Sequence, residues 1–263
     1  MQIAGIQKLT LVDFPGRVAA TIFTRGCSFR CGFCHNPELV IPEQYSPLLD
    51  EKQLFDFLEK RYGKLTGVCI TGGEPCLQPD IAKFITHLKA LGFDTKLDTN
   101  GSFPESLEKI IKDGEIDYIA MDIKASLGKY AQVAIPKSEL LISKQSPNTK
   151  SQKTDVIPSE VEVSRKRANS EKELIQKIQK SIKLIMNSGI DYEFRTTVCH
   201  PYHQVADFDE IGKMIKGAPR YYLQNYRESK HVDKEIDFQP FSDQELGEAQ
   251  KIMQKYVAEV DIR

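Results

Sequence analysis

The sequence predicts an α/β fold, an incomplete (β/α)6 barrel on a parallel sheet, with a disordered insertion after its fourth strand. Two observations lead there. Short apolar runs of strand character alternate with segments of helical period along most of the chain, the pattern of βαβ units. The glycine-rich and acidic punctuation falls at the carboxyl ends of the strand segments, the edge at which parallel α/β folds bind ligands. At 263 residues, six such repeats fit better than the eight of a closed barrel.

In chain order, residues 17–24 read as a strand and a cysteine-rich loop follows. Residues 51–61 carry Leu54, Phe55 and Leu58 at helical spacing. Residues 65–71 form an apolar strand running into Gly72-Gly73-Glu74-Pro75, and 80–91 an amphipathic helix closed by Gly92. Residues 93–99 are the third strand, 105–112 a helix stopped by Gly114, and 117–123 the fourth strand. A long helix over 171–188 ends at Gly189 and leads to a fifth strand, 191–198. Residues 208–216 are helical, 220–226 the sixth strand and 243–260 the last helix. One core domain therefore spans 1–136 and 171–263. The stretch 137–170 has no aromatic, glycine or cysteine and is rich in Ser and Lys, so it buries too little surface to offset its ordering entropy. It is expected to be a tolerated low-complexity insertion.

Charge is nearly balanced, with 36 basic and 37 acidic side chains, which leaves no electrostatic footprint for nucleic acid or a membrane surface. The amino terminus lacks a basic segment followed by an apolar one, and no apolar run approaches a transmembrane length, so a cytoplasmic protein is expected. The six cysteines, three clustered and three scattered, do not form a disulfide framework for a chain this size.

The clustered three carry the chemistry. Cys27, Cys31 and Cys34 lie on one short loop, and thiolates held so closely can converge on one iron or zinc centre. They are one short of the usual four, which leaves a metal position free for a substrate or cofactor. Other readings stand beside this one. His35 would complete a zinc site, although its adjacency to Cys34 gives a poor bite; Cys31-Gly-Phe-Cys34-His35 also fits covalent haem attachment; and the trio could be buried free cysteines.

Cys27-x3-Cys31-x2-Cys34, with Phe33 before the last cysteine and Gly72-Gly73-Glu74-Pro75 after the next strand, resembles the radical S-adenosylmethionine (SAM) superfamily. Further segments resemble the activating enzymes of glycyl radical proteins, above all those of anaerobic ribonucleoside-triphosphate reductase. They are 11–16 (Leu-Val-Asp-Phe-Pro-Gly), 34–38 (Cys-His-Asn-Pro-Glu), 97–101 (Leu-Asp-Thr-Asn-Gly), 121–124 (Met-Asp-Ile-Lys) and 192–197 (Tyr-Glu-Phe-Arg-Thr-Thr). The resemblance implies a radical SAM barrel. Cys27, Cys31 and Cys34 would hold three irons of a [4Fe-4S] cluster, and the fourth iron would be chelated by SAM, which the reduced cluster cleaves to methionine and a 5′-deoxyadenosyl radical. Gly72 and Gly73 would let the backbone approach the SAM amino group, which Glu74 or a nearby carbonyl would bind; Glu74 could instead make a salt bridge. Phe33 would sit by the adenine. Asp98, Thr99, Asp122 and Ile123 would line a site for a monovalent or divalent cation, and Asp98 could instead cap a turn. Lys124 and Arg195 would neutralise the SAM carboxylate, with an ordinary ion pair as the alternative for Arg195. Asp13 would lie near the partner's glycine loop, or be a turn residue. Cys69, Cys76 and Cys199 are expected to be packing residues, so electrons would come from an external flavodoxin or ferredoxin. The implied partner is a glycyl radical protein, first the anaerobic ribonucleotide reductase. Pyruvate formate-lyase activation, a reaction of the 7-carboxy-7-deazaguanine synthase type, and a non-enzymatic iron–sulfur electron carrier or zinc-binding module are the alternatives.

Overall fold

The computed structural model describes residues 1–135, 160–228 and 233–263, of which 160–168 by backbone alone. One eight-stranded sheet runs in sequence order: β1 (Ile3–Thr10), β2 (Ala19–Thr24), β3 (Gly67–Gly72), β4 (Asp94–Thr99), β5 (Tyr118–Asp122), β6 (Asp191–Val198), β7 (Arg220–Asn225) and β8 (Glu259–Ile262). β1 pairs antiparallel with β2, and every later pair is parallel. Because β8 does not pair back to β1, the barrel is open.

Between the strands lie α1 (Glu51–Glu59), α2 (Ile81–Ala90), α3 (Pro104–Asp113), α4 (Tyr130–Ala134), α5 (Glu160–Met186), α6 (Asp207–Met214) and α7 (Asp243–Met253). Their ends follow local chemistry. Asp50 caps α1 by accepting the Gln53 N–H at 2.9 Å, Ser242 and Glu245 close a reciprocal capping box on α7, and Gly114 ends α3 at φ 71°. Strand alternation then sorts the sheet into two faces. Val68, Ile70, Leu97, Ile119, Met121, Phe194 and Leu223 join Leu54, Leu88, Leu107, Ile182 and Leu246 of the helices in the main core. The opposite face carries, in matched rows, Thr21–Cys69–Lys96–Tyr118, Asp98–Ala120–Glu193 and Asp122–Arg195–Tyr222. The inner face of the open barrel is polar and charged.

All six predicted strands form, as β2 to β7, and two more extend the sheet. β1 has a weak pattern because it is an edge strand, buried only at its ends. β8 was expected inside a helix running to residue 260, but α7 stops at Met253. β8 instead pairs parallel with β7, and Val257 and Val260 are buried in the core while Ala258 and Glu259 between them are exposed. The helix expected from 171 begins at Glu160, within the span assigned to the insertion. The remainder of that insertion, through 159, lies outside the described residues.

Candidate active site

The carboxyl ends of β2, β3, β4 and β5 converge on one pocket. Cys27, Cys31 and Cys34 line it, together with Gly72, Gly73 and Glu74 after β3, Asp98, Thr99 and Asn100 at the end of β4, and Asp122 and Lys124 after β5. The cysteine loop is held by the backbone on several sides. The Gly26 N–H donates to Leu39 O at 2.8 Å, Arg30 N–H to Ala134 O at 2.9 Å, and Asp233 N–H to Gly32 O at 3.1 Å. Burial pushes the Cys27 thiol up to about 12, helped by the Glu74 carboxylate, and the Cys31 thiol up to about 11, partly offset by the Lys124 ammonium. Cys34 is raised for the same first reason. Any metal bound through these thiols would have to displace their protons.

Gly72 and Gly73 have a structural reason of their own. A Cβ on Gly72 would collide with the Thr24 backbone, and one on Gly73 with the Gly26 carbonyl. That closeness lets Gly73 N–H reach Thr24 O at 2.9 Å and Glu74 N–H reach Gly26 O at 2.8 Å, so β3 seats the base of the cysteine loop. Glu74 itself is fully buried. Among the described residues it makes no salt bridge; its carboxylate accepts from Thr99 Oγ1 at 2.7 Å, Asn100 N–H at 2.7 Å and Cys76 N–H at 3.0 Å. Burial raises its pKa, and these three bonds oppose the rise. Glu74 thus ties the end of β3 to that of β4.

Asp98, Asp122, Lys124 and Arg195 meet in one network. Arg195 Nε donates to Asp122 Oδ1 at 2.9 Å and its Nη1 to Asp98 Oδ2 at 3.3 Å, while Lys124 Nζ holds Asp122 Oδ2 at 2.9 Å. Burial would raise the Asp122 carboxyl, but Arg195 and Lys124 outweigh it and hold it well below the usual carboxylate range. Asp98 is lowered likewise, by Arg195 and Lys96. Asp98 is therefore an ion-pair centre rather than a turn cap.

Phe33 and Asp13 differ in placement. Phe33 lines the pocket, and its ring is buried among Tyr202, His203 and Phe238, with centroids 6.0, 6.3 and 6.1 Å away. It anchors the cysteine loop to the segments after β6 and β7. Asp13 belongs to the β1–β2 connection, where it accepts from Thr21 Oγ1 at 2.6 Å and does not line the pocket. Cys69, Cys76 and Cys199 are buried, as expected of packing residues.

Sequence reasoning assigned no role to Asn100, Lys96 or His203. Asn100 Nδ2 lies 3.6 Å from Cys27 Sγ and 3.4 Å from Ser28 Oγ, so it orients the loop. Lys96 bonds Asp98. His203 Nε2 donates to Lys124 O at 2.8 Å, while Nδ1 lies 3.2 Å from both the Cys199 N–H and the Cys199 carbonyl; burial, the largest influence, favours the neutral ring. The available signals were slight: an asparagine directly after a strand, and a lysine in strand register with Asp98.

The donor set fits a cluster better than a mononuclear ion. Among the described residues no three His, Cys, Asp or Glu side chains are grouped tightly enough for a single metal ion, yet the three thiols share one pocket. A single zinc would need its sulfurs within about 2.3 Å of one point, whereas a cubane spreads its ligands over separate irons.

An open, mostly parallel α/β barrel with three loop cysteines at its carboxyl edge defines a class of cluster-using enzymes, and comparison with known proteins agrees. Residues 21–215 match the model of the radical SAM superfamily. The chain belongs to that superfamily, whose members use a [4Fe-4S] cluster and SAM. It is 28% identical over 263 residues to a Methanocaldococcus jannaschii protein provisionally assigned as a glycyl-radical enzyme activating enzyme, covering 99% of this chain and 95% of that protein. It is 37% identical over 133 residues to the pyruvate formate-lyase-activating enzyme of Clostridium pasteurianum, 47% of this chain and 52% of that enzyme. Among solved structures, TYW1 with a lysine-pyruvate adduct shares the fold at a TM-score of 0.55 and 15% identity, over 90% of this chain and 73% of that one.

Proposed function

We propose that this chain is an activase that installs a glycyl radical on a large partner protein, and that the partner is the anaerobic ribonucleoside-triphosphate reductase. The observation that carries the chemistry is the meeting of the three loop cysteines with the Gly72–Gly73 end of β3 and the charged ends of β4 and β5 in one pocket. Cys27, Cys31 and Cys34 would hold the cluster, and Gly72, Gly73, Asp98, Lys124 and Arg195 would surround SAM. What cluster and SAM supply when bound is one-electron cleavage of a carbon–sulfur bond and hydrogen abstraction.

The protein's part is geometric and electrostatic. The loop keeps Cys31 buried and Cys27 and Cys34 half-buried at the pocket, Asn100 steadies Cys27, and Lys124 with Arg195 offers positive charge for a carboxylate. Glu74 acts as a positioning residue through Thr99 and Asn100. The open side of the barrel gives a protein loop a way in. The remaining cysteines, buried singly, favour an external flavodoxin or ferredoxin as the electron source, and a cytoplasmic setting follows from those partners. Among the described residues no helix is long and apolar enough to cross a membrane. Activation of pyruvate formate-lyase is the second reading, favoured by the 37% identity to its activating enzyme.

Anaerobic electron paramagnetic resonance of the reconstituted protein with SAM, a reductant and each candidate partner tests both. A persistent glycyl doublet on the reductase is expected, lost in Cys27→Ala, Cys31→Ala and Cys34→Ala and kept in Cys199→Ala. A doublet on pyruvate formate-lyase alone selects the second reading, and SAM left uncleaved by a full cluster refutes activase chemistry.

A further inference from the structure

The oxygens to which the activase resemblance assigns a free cation are already held by side chains of this chain. Lys96 stands two residues before Asp98 on β4, on the same inner face, with 1% of its side chain exposed, and its Nζ bonds Asp98 Oδ1. Arg195 takes Asp98 Oδ2 and Asp122 Oδ1, and Lys124 takes Asp122 Oδ2. The Thr99 hydroxyl is turned to Glu74, 2.7 Å away. A hard metal ion collects about six or more oxygen ligands, so here it would have to evict a resident cation.

Charge balance points the same way. Asp98, Asp122 and Glu193 face Lys96, Lys124 and Arg195 across the inner sheet, and Arg263 reaches Glu193 from the rim at 3.4 Å. Around the ammonium of Lys96 lie Cys69 Sγ at 3.9 Å and the face of the Tyr118 ring, its centroid 5.9 Å away. An ammonium sealed in such surroundings is costly unless paired, and Asp98 is its ion-pair partner among the described residues. Burial opposes the charge on Lys96, but Asp98 prevails and keeps it protonated.

We propose that Lys96 is the built-in cation of this site: beside Asp98 its ammonium takes the place of a metal ion, and SAM binds here without an alkali or divalent ion. Lys96 is then a positioning residue that fixes Asp98, and through it Arg195, toward the SAM carboxylate. The inference rests on the reading of this pocket as the SAM site.

Anaerobic calorimetric titration of SAM into the reconstituted full chain tests it, with tetramethylammonium chloride as the only salt and then with potassium, sodium or magnesium chloride at equal ionic strength. The wild-type affinity is expected to change less than about twofold across the series. Lys96→Met should bind SAM about tenfold or more weakly in tetramethylammonium and recover with potassium or sodium, whereas Lys96→Arg should stay indifferent to the salt. A lysine that served only for stability would lower the melting temperature without making SAM binding ion-dependent. Wild-type affinity that tightens about tenfold on adding potassium, sodium or magnesium overturns the inference alone, as does Lys96→Met binding like wild type without them. If Lys96→Met does not fold, the wild-type series and Lys96→Arg still decide. A full cluster that binds no SAM in any salt overturns the assignment of the pocket, and this inference with it.

Discussion

Glu74 shows how far a residue type can be read and where that reading stops. A glutamate after paired glycines on a strand end was legible as part of a ligand edge, but its three donors, Thr99, Asn100 and Cys76, became visible only once β3 and β4 were side by side. Removing the carboxylate strands three buried donors, each costing about 1–3 kcal/mol. Glu74→Ala is therefore expected to destabilise the apoprotein by about 3 kcal/mol or more in urea unfolding, and Glu74→Gln by less, since its amide oxygen still accepts. The cysteines were legible from their spacing, whereas the roles of Asp98, Asp122, Lys124 and Arg195 came from the family resemblance, because a charged side chain on or after a strand otherwise reads as a turn cap or an ordinary ion pair. Lys96 was not legible. A lysine within a strand ordinarily reads as solvated, and its burial depends on neighbours from β3 and β5.

At the level of elements, the central parallel strands and the helices between them were legible because each is an apolar run bounded by a cap or a glycine. The two ends of the sheet were not, since β1 has one partner and an exposed stretch, and β8 is only four residues long. The junction of β3 with the cysteine loop is the most exacting contact between elements. Gly73→Ala must push the Gly26 carbonyl away, which breaks the Glu74 N–H to Gly26 O bond. Backbone against backbone leaves little room to relax, so a loss of at least about 2 kcal/mol is expected, with reduced cluster content after iron reconstitution. Gly128→Ala, whose Cβ would meet nothing within 4 Å, serves as the control.

For the molecule as a whole, the charged inner face sets the response to acid. His203 is held neutral chiefly by burial, below its ordinary 6.5, so its contribution is intact above that value and declines as pH falls, because the unfolded imidazole takes up a proton first. Asp98 and Asp122 are held below their ordinary 3.8, so their contribution persists above it and disappears as pH falls further. The unfolding free energy of the apoprotein in urea should fall in two stages, the first diminished in His203→Gln and shared with His35, which burial also holds low, the second larger. A single loss confined to the carboxylate range would show that His203 carries no such burden. Formal charge near −1 conceals all of this, since the sequence does not say which of its charges are enclosed.

The seating of the cysteine loop on Leu39, Ala134, Gly32 with Asp233, and the β3 turn has one more consequence. A small zinc finger collapses when its metal leaves, because the metal is what folds it. Here the loop proposed to hold the cluster is fixed by main-chain bonds that do not depend on iron. An encounter with oxygen that strips the cluster would leave an intact shell, ready to be refilled rather than discarded. Amide hydrogens of Gly26, Arg30 and Glu74 should then exchange slowly even in iron-free protein.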